Sequence, residues 1–306
     1  MVKKAEKIWL DGELVPWDEA NVHILTHTLH YGLGAFEGIR CYERADGRSQ
    51  IFRLREHIQR LLDSARIMTM KVPYTVDDLM EACRQTVRAN GQRSAYLRPV
   101  VFIGAGAMGL YAIDNPVRAT VITWEWGTYL GPDALEKGIR AKVSSFTRNH
   151  PNSLMAKAKV NGQYVNSILA KREAMAAGYQ EAIMLDHNGL ISEASGENVF
   201  IVRNGAVITP HYSSGILGGI TRDSVLRILA DRNIPVHFTS FARDELYCAD
   251  EVFFTGTAAE ITPVREVDDR MIGRGVRGEI TELVQRTYFD IVRGSNTDYM
   301  HWLDFV

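Results

Sequence analysis

Ser153-Leu154-Met155-Ala156-Lys157-Ala158-Lys159-Val160-Asn161-Gly162-Gln163-Tyr164-Val165-Asn166-Ser167 lies at mid-chain and decides how the rest is read. Lys159 stands at the mouth of a helical pattern (Val165, Ile168, Leu169, then Ala174 and Met175) rather than inside it. Tyr164 follows shortly after, and Glu193 comes later in Ser192-Glu193-Ala194-Ser195-Gly196-Glu197-Asn198-Val199-Phe200. A lysine taken alone is a solvated surface group. Its company sets Lys159 apart.

The 306 residues suffice for one large domain or two modest ones. With 46% hydrophobic and 24% charged residues the composition is that of a globular protein. A net charge of −2 gives no electrostatic case for nucleic acid or an anionic membrane surface. The basic Lys3, Lys4 and Lys7 have no apolar run behind them, and no stretch approaches the ~20 apolar residues of a membrane span. Cys41, Cys83 and Cys248 are scattered and odd in number, which argues against a disulfide framework and for a reducing cytoplasm.

Outward from the centre, Ile8-Trp9-Leu10 and Leu14-Val15-Pro16 flank Asp11-Gly12 as a hairpin. His23, His27 and His30 have a spacing that could ligate a metal on one helix face, but Thr26 and Thr28 read equally as extended chain. Gly32, Gly34 and Gly38, around Phe36-Glu37, bring backbone close to a turn or a bound molecule. Arg55 to Met70 and Thr75 to Asn90 read as helices, the second capped by Thr75, and Arg60 lies off the apolar stripe of the first. Ser94 to Gly104 reads as a strand, ending in Gly104-Ala105-Gly106-Ala107-Met108-Gly109. That run matches a dinucleotide fingerprint with Glu125 downstream. The next strand, Ala119 to Trp124, follows too soon for a parallel crossover, and Pro116 would break a helix between them. Strand-loop-strand fits better. Trp124 to Pro132 looks like an interdomain joint.

The second half alternates strands and helices. Ile139 to Phe146, Glu181 to Asp186, Gly189 to Ser192, Asn198 to Val202, Ala206 to Thr209, Pro235 to Ser240 and Glu251 to Thr255 read as strands; Val165 to Ala177 and Gly278 to Val292 read as helices. Gly218-Gly219 runs straight into a helix at Ile220-Thr221, where free N–H groups would welcome a phosphate. Thr257 lies in another small-residue turn with amides to donate. Together these answer four demands of pyridoxal phosphate. Its aldehyde needs a lysine (Lys159) and its ring nitrogen a carboxylate (Glu193). Its phosphate needs an arginine and amides (Arg60, Ile220, Thr221, Thr257), and its phenolic oxygen a hydroxyl (Tyr164).

The run Glu193 to Phe200, then Val207-Ile208-Thr209, then Leu217-Gly218-Gly219-Ile220-Thr221-Arg222, resembles the class IV, fold-type IV pyridoxal-phosphate enzymes. Tyr31 to Arg40, Ala95 to Pro99, Trp126 to Gly131 and Gly256 to Pro263 extend the resemblance over nearly the whole chain and toward the branched-chain amino acid aminotransferases. The resemblance implies an α+β / α/β, two-domain fold-type IV architecture, similar to D-amino acid aminotransferase. Residues 1–128 would form a small N-terminal α+β domain, 129–137 an interdomain loop and 138–306 a larger barrel-like cofactor domain. It implies Lys159 as Schiff-base lysine and proton shuttle, and Glu193 at the ring nitrogen. Tyr164 would sit at the phenolic oxygen, with Arg60, Ile220, Thr221 and Thr257 at the phosphate and Leu217 also in the cofactor site. Tyr96 and the Thr257-Ala258 amides would take the α-carboxylate. Phe36, Gly38, Trp126 and Tyr129 would line an apolar pocket. Arg98 would take the distal carboxylate of glutamate, helped by Tyr31 and Leu110 of a neighbouring subunit. Substrates would be amino acids and 2-oxo acids, with no metal, nucleic acid or membrane partner. The assembly would be a homodimer at least, with a hexamer the larger form. The same fold also hosts D-amino acid and amine transaminases and aminodeoxychorismate lyases. A nicotinamide-dependent oxidoreductase and a binding protein without catalysis are the readings outside it.

Overall fold

The computed structural model describes residues 2–125 and 133–306. By contact the chain forms two compact units, one of Met1–Gly127, Ala158–Gln163 and Asp290–Val306, the other of Thr128–Lys157 and Tyr164–Phe289.

The first unit is built on an eight-stranded sheet. From one edge its strands are Leu303–Phe305, Ser49–Phe52, Ile39–Glu43, Ala95–Ile103, Val117–Trp124, Lys7–Leu10 and Glu13–Pro16, with Gly34–Phe36 also on Ala95–Ile103. Every pairing is antiparallel. Helices Leu54–Ile67 and Val76–Ala89 lay Leu54, Ile58, Leu61, Leu79, Cys83 and Val87 into a core with Ile39, Leu97, Val101 and Val121. Thr75 caps the second helix through a full capping box with Asp78.

The Gly104–Gly109 run joins two antiparallel strands, Ala95–Ile103 and Val117–Trp124, which rules out the parallel crossover a dinucleotide fold needs. The C-terminal tail carries no motif, yet it is structural. Leu303–Phe305 adds an edge strand beside Ser49–Phe52. Trp302 is buried, with the Arg53 guanidinium 5.1 Å above its ring and the Arg53 N–H bonded to its carbonyl at 2.6 Å.

The second unit holds a nine-stranded mixed sheet, ordered Ile191–Ala194, Glu181–Leu185, Ile139–Thr147, Glu260–Val267, Glu251–Gly256, Asn198–Arg203, Ala206–Thr209 and Val236–Phe238, with Arg270–Met271 on Glu260–Val267. Ile139–Thr147 runs parallel to both neighbours. Ile139, Ile183, Ile201, Phe254 and Val264 form its core. Helix Tyr164–Ala176 corrects an expectation. Its buried residues are Ser167, Ala170 and Ala174, while Val165, Ile168, Leu169 and Met175 face outward. The small residues pack closest to the sheet, and within one chain the bulky ones are left exposed.

Candidate active site

In the first unit Lys159 is fixed through its backbone. Its N–H donates to Ser64 Oγ at 3.0 Å, and its carbonyl accepts the Phe36 N–H at 3.1 Å. Ser64 in turn donates to the Arg60 carbonyl at 2.7 Å, so one serine links Lys159 to Arg60. The bridge Ala35↔Val160 and the bond from Gly162 N–H to the Gly32 carbonyl (3.0 Å) anchor the rest of the segment. A side chain on Gly162 would press on Gly32, so the approach depends on glycine at both positions. The Lys159 Nζ lies 5.0 Å from the Phe36 ring centroid.

Arg60 is gripped from behind. Its Nε and Nη2 donate to the two oxygens of Glu37 at 2.6 and 2.8 Å, a bidentate pair with Glu37 fully buried. Burial opposes the charge on Glu37, but Arg60 and His57 outweigh it and hold the carboxyl well below its usual range. Burial pushes the His57 imidazole down, toward the neutral form. Its Nδ1 sits 2.8 Å from Glu37 Oε2, and because a carboxylate only accepts, Nδ1 carries the hydrogen.

Arg98 is held by rings. Its guanidinium carbon lies 4.7 Å from Phe36, 5.5 Å from Tyr96 and 5.7 Å from Trp124. Its Nε is buried with no hydrogen-bond partner among the described residues. A Cβ on Gly38 would overlap the Tyr96 hydroxyl, so the phenol requires glycine there. Tyr31 is exposed and its hydroxyl accepts the Gly109 N–H at 3.1 Å; Leu110 next to it is 92% exposed. His27 Nε2 meets the Gly109 carbonyl at 2.9 Å, His30 Nε2 the Ile24 carbonyl at 2.9 Å, and His23 Nδ1 accepts the Leu25 N–H at 3.1 Å. The histidine run therefore stitches backbone, His27 and His30 lie in a short helix, His27–Tyr31, and no metal-holding group occurs among the described residues. Trp126 and Tyr129 lie outside the described residues.

In the second unit Glu193 is buried and fully held. Arg148 Nη2 pairs with its Oε1 at 2.9 Å; Asn198 Nδ2 and the Leu217 N–H donate to its Oε2 at 3.1 and 3.0 Å. Asn198 packs against Gly219, where a Cβ would strike its Oδ1. That contact joins Glu193 to the start of helix Ile220–Asp231, whose N-cap Gly219 offers no side-chain cap. Ile220 and Thr221 stand in its first turn, where unclaimed amides and the helix dipole suit a phosphate. Arg222, from the same run, is buried and bonds the Pro210 carbonyl at 2.9 Å, a structural tie. Thr257 and Ala258 occupy the bend between Glu251–Gly256 and Glu260–Val267, half-buried. The Thr255 hydroxyl beside them is buried with no partner among the described residues. Tyr164, half-buried, opens helix Tyr164–Ala176. Within the second unit, an anchored carboxylate, an uncapped helix start and an orphaned hydroxyl fit a phosphorylated, cationic heterocycle.

Sequence reasoning missed Glu37, His57, Ser64 and Arg148. Glu37, an acid between Phe36 and Gly38 in a small-residue stretch, was the one with a visible signal. Arg148 had none.

The amino-transferase class IV profile matches residues 34–267. The chain is 50% identical to the branched-chain-amino-acid aminotransferase of Pseudomonas aeruginosa over 98% of this chain and 97% of that one. Among solved structures it superposes on the branched-chain amino acid aminotransferase of Escherichia coli with a TM-score of 0.96, at 46% identity, covering 98% of this chain and 99% of that one. It superposes on the branched-chain amino acid aminotransferase of Thermobaculum terrenum in its PLP-bound holo form with a TM-score of 0.92, at 34% identity, covering 98% of each chain.

Proposed function

The chain belongs to the class IV aminotransferases, and from that premise we propose that it is a pyridoxal-phosphate-dependent transaminase exchanging the amino group of leucine, isoleucine and valine with 2-oxoglutarate and glutamate. The Arg98 ring cage supports the substrate reading most directly. One pocket must accept an apolar side chain and then a second carboxylate. A guanidinium held over Phe36, Tyr96 and Trp124 tolerates the first because the ring faces replace lost water, and it pairs with the second.

Pyridoxal phosphate, when bound, supplies an electron sink for the carbon that gives up its proton. Lys159 attaches the cofactor and carries the proton at the substrate Cα, its main chain locked so that only the side chain swings. Glu193, paired with Arg148, holds a proton at the ring nitrogen. Arg60, aimed by Glu37, takes the phosphate with the Ile220, Thr221 and Thr257 main chain and hydroxyls, while Leu217 serves the cofactor site through its N–H on Glu193. Tyr164 hydrogen-bonds the phenolic oxygen. Tyr96 with the Thr257 and Ala258 amides takes the α-carboxylate, and Phe36, Gly38, Trp126 and Tyr129 line the side-chain pocket. A second copy supplies Tyr31 and Leu110, giving a homodimer that extends to a hexamer. The exposure of Ile24, Leu29, Leu110 and Tyr111, and of the outer side of helix Tyr164–Ala176, supports such an assembly. We place the enzyme in the cytoplasm; among the described residues no helix is long and apolar enough to cross a membrane.

The test is a donor panel against 2-oxoglutarate with the holoenzyme. Turnover of L-leucine, L-isoleucine and L-valine above all other donors is expected. Turnover confined to D-amino acids or simple amines, or pyruvate release without an acceptor, would move the chain to a sister activity of the same fold.

A further inference from the structure

Two acids of the second unit are buried around one lysine, apart from the groups discussed so far. Glu181 is fully buried and Glu197 is 6% exposed. Lys171 Nζ pairs with Glu181 Oε2 at 2.6 Å. Glu181 Oε1 also accepts the Ala182 N–H at 2.8 Å and the Ser195 hydroxyl at 2.5 Å. Glu181 is therefore well supplied as an anion. Glu197 bonds Glu181 side chain to side chain and, among the described residues, receives only the Gly196 N–H, at 3.1 Å. Two carboxylates in contact inside the fold cannot both stay charged on one ammonium group. The groups facing Glu197 are few. Glu181 comes from the Glu181–Leu185 strand, Lys171 from helix Tyr164–Ala176, and the uncharged Gly256, packed on the Glu197 side chain, from the Glu251–Gly256 strand.

We propose that Glu197 is kept as a neutral carboxylic acid at neutral pH, donating its proton to Glu181, and that this acid pair is a positioning device for the turn joining Glu193 to Asn198. Burial first, then the charge of Glu181, pushes Glu197 up to about 8 against the opposing pull of Lys171. The pair is placed for the task. The Glu197 carbonyl accepts the Ala194 N–H at 2.8 Å, closing the turn, and its side chain braces Gly256 beside Thr257. The positioning half rests on the reading of Glu193 and Thr257 as cofactor contacts; the proton half does not.

Glu197→Gln copies the protonated acid permanently, since its amide can both donate to Glu181 and accept from Gly196. The melting temperature of holoenzyme and variant is followed from pH 5 to 9. An acid whose folded value is raised weakens the fold as pH climbs from its ordinary value toward the raised one. The two curves should meet near pH 5, with the variant ahead by about 5 °C at pH 9. A gap that does not change with pH overturns the shared proton. Glu181→Gln, which leaves Glu197 to pair with Lys171, should likewise remove the alkaline step, and its persistence there would also count against the proposal. Cofactor titration by absorbance then separates the halves. Glu197→Ala should bind pyridoxal phosphate about tenfold more weakly while Glu197→Gln binds normally. Full retention by Glu197→Ala, with the pH-dependent gap intact, leaves the proton and removes the positioning role.

Discussion

Arg98 and Lys159 are held by contrasting means, and each yields a test. The cation of Arg98 rests on ring faces, so its loss should fall on the substrate that brings a second carboxylate. Arg98→Ala is expected to lower kcat/KM for glutamate and 2-oxoglutarate by about 30- to 100-fold and for leucine by only a few-fold. Equal losses in steady-state kinetics would remove its role in dual recognition. Lys159 is fixed by its backbone, and both bonds survive truncation of the side chain. Lys159→Ala should keep the parent circular dichroism and melting behaviour while turnover vanishes; a variant that still turns over would end the mechanism. At this scale the sequence names residues with a chemistry of their own, such as Lys159 and Glu193. It does not name the residues that aim them. Glu37, Ser64 and Arg148 act through partners distant in the chain, and no local pattern records such a pairing.

Among the elements, those marked by a cap or a turn dipeptide were legible. The capped amphipathic helix Val76–Ala89 and the hairpin at Asn204-Gly205 fall where the period and the turn residues put them. Gly34–Phe36, Ile39–Glu43, Ser49–Phe52 and Glu260–Val267 were not read as strands. The first three are only three to five residues long, too short for a period-two pattern to stand out, and Glu260–Val267 carries Pro263 inside it. Helix Tyr164–Ala176 misled in another way, because its bulky stripe is the exposed one. The capping box gives a test at this scale. Thr75→Ala removes the side chain that receives the Asp78 N–H, and should cost about 1 kcal/mol, read as a small fall in melting temperature at unchanged kcat.

For the molecule as a whole, two buried acids set opposite ends of a pH window. Glu37 titrates well below its ordinary value of 4.5 when folded, so its contribution is present above that value and is lost as pH falls beneath it. Glu197 is raised, so its cost is absent in acid and grows toward pH 8. From these two acids stability should therefore peak near about pH 5 and fall on both sides. Glu37→Gln should flatten the acid limb in a melting series, and an unchanged limb would assign it to other carboxyls. The strand that the tail adds to the first sheet has a further consequence. Residues 302–305 supply a buried tryptophan and an edge for a sheet whose other strands all lie before residue 125. On the ribosome, that sheet must wait unfinished until residues 302–305 have been read and have left the exit tunnel. A stop codon placed just before Trp302 would strip the first-made half of the protein of its seal, although nearly every residue of that half had been synthesised.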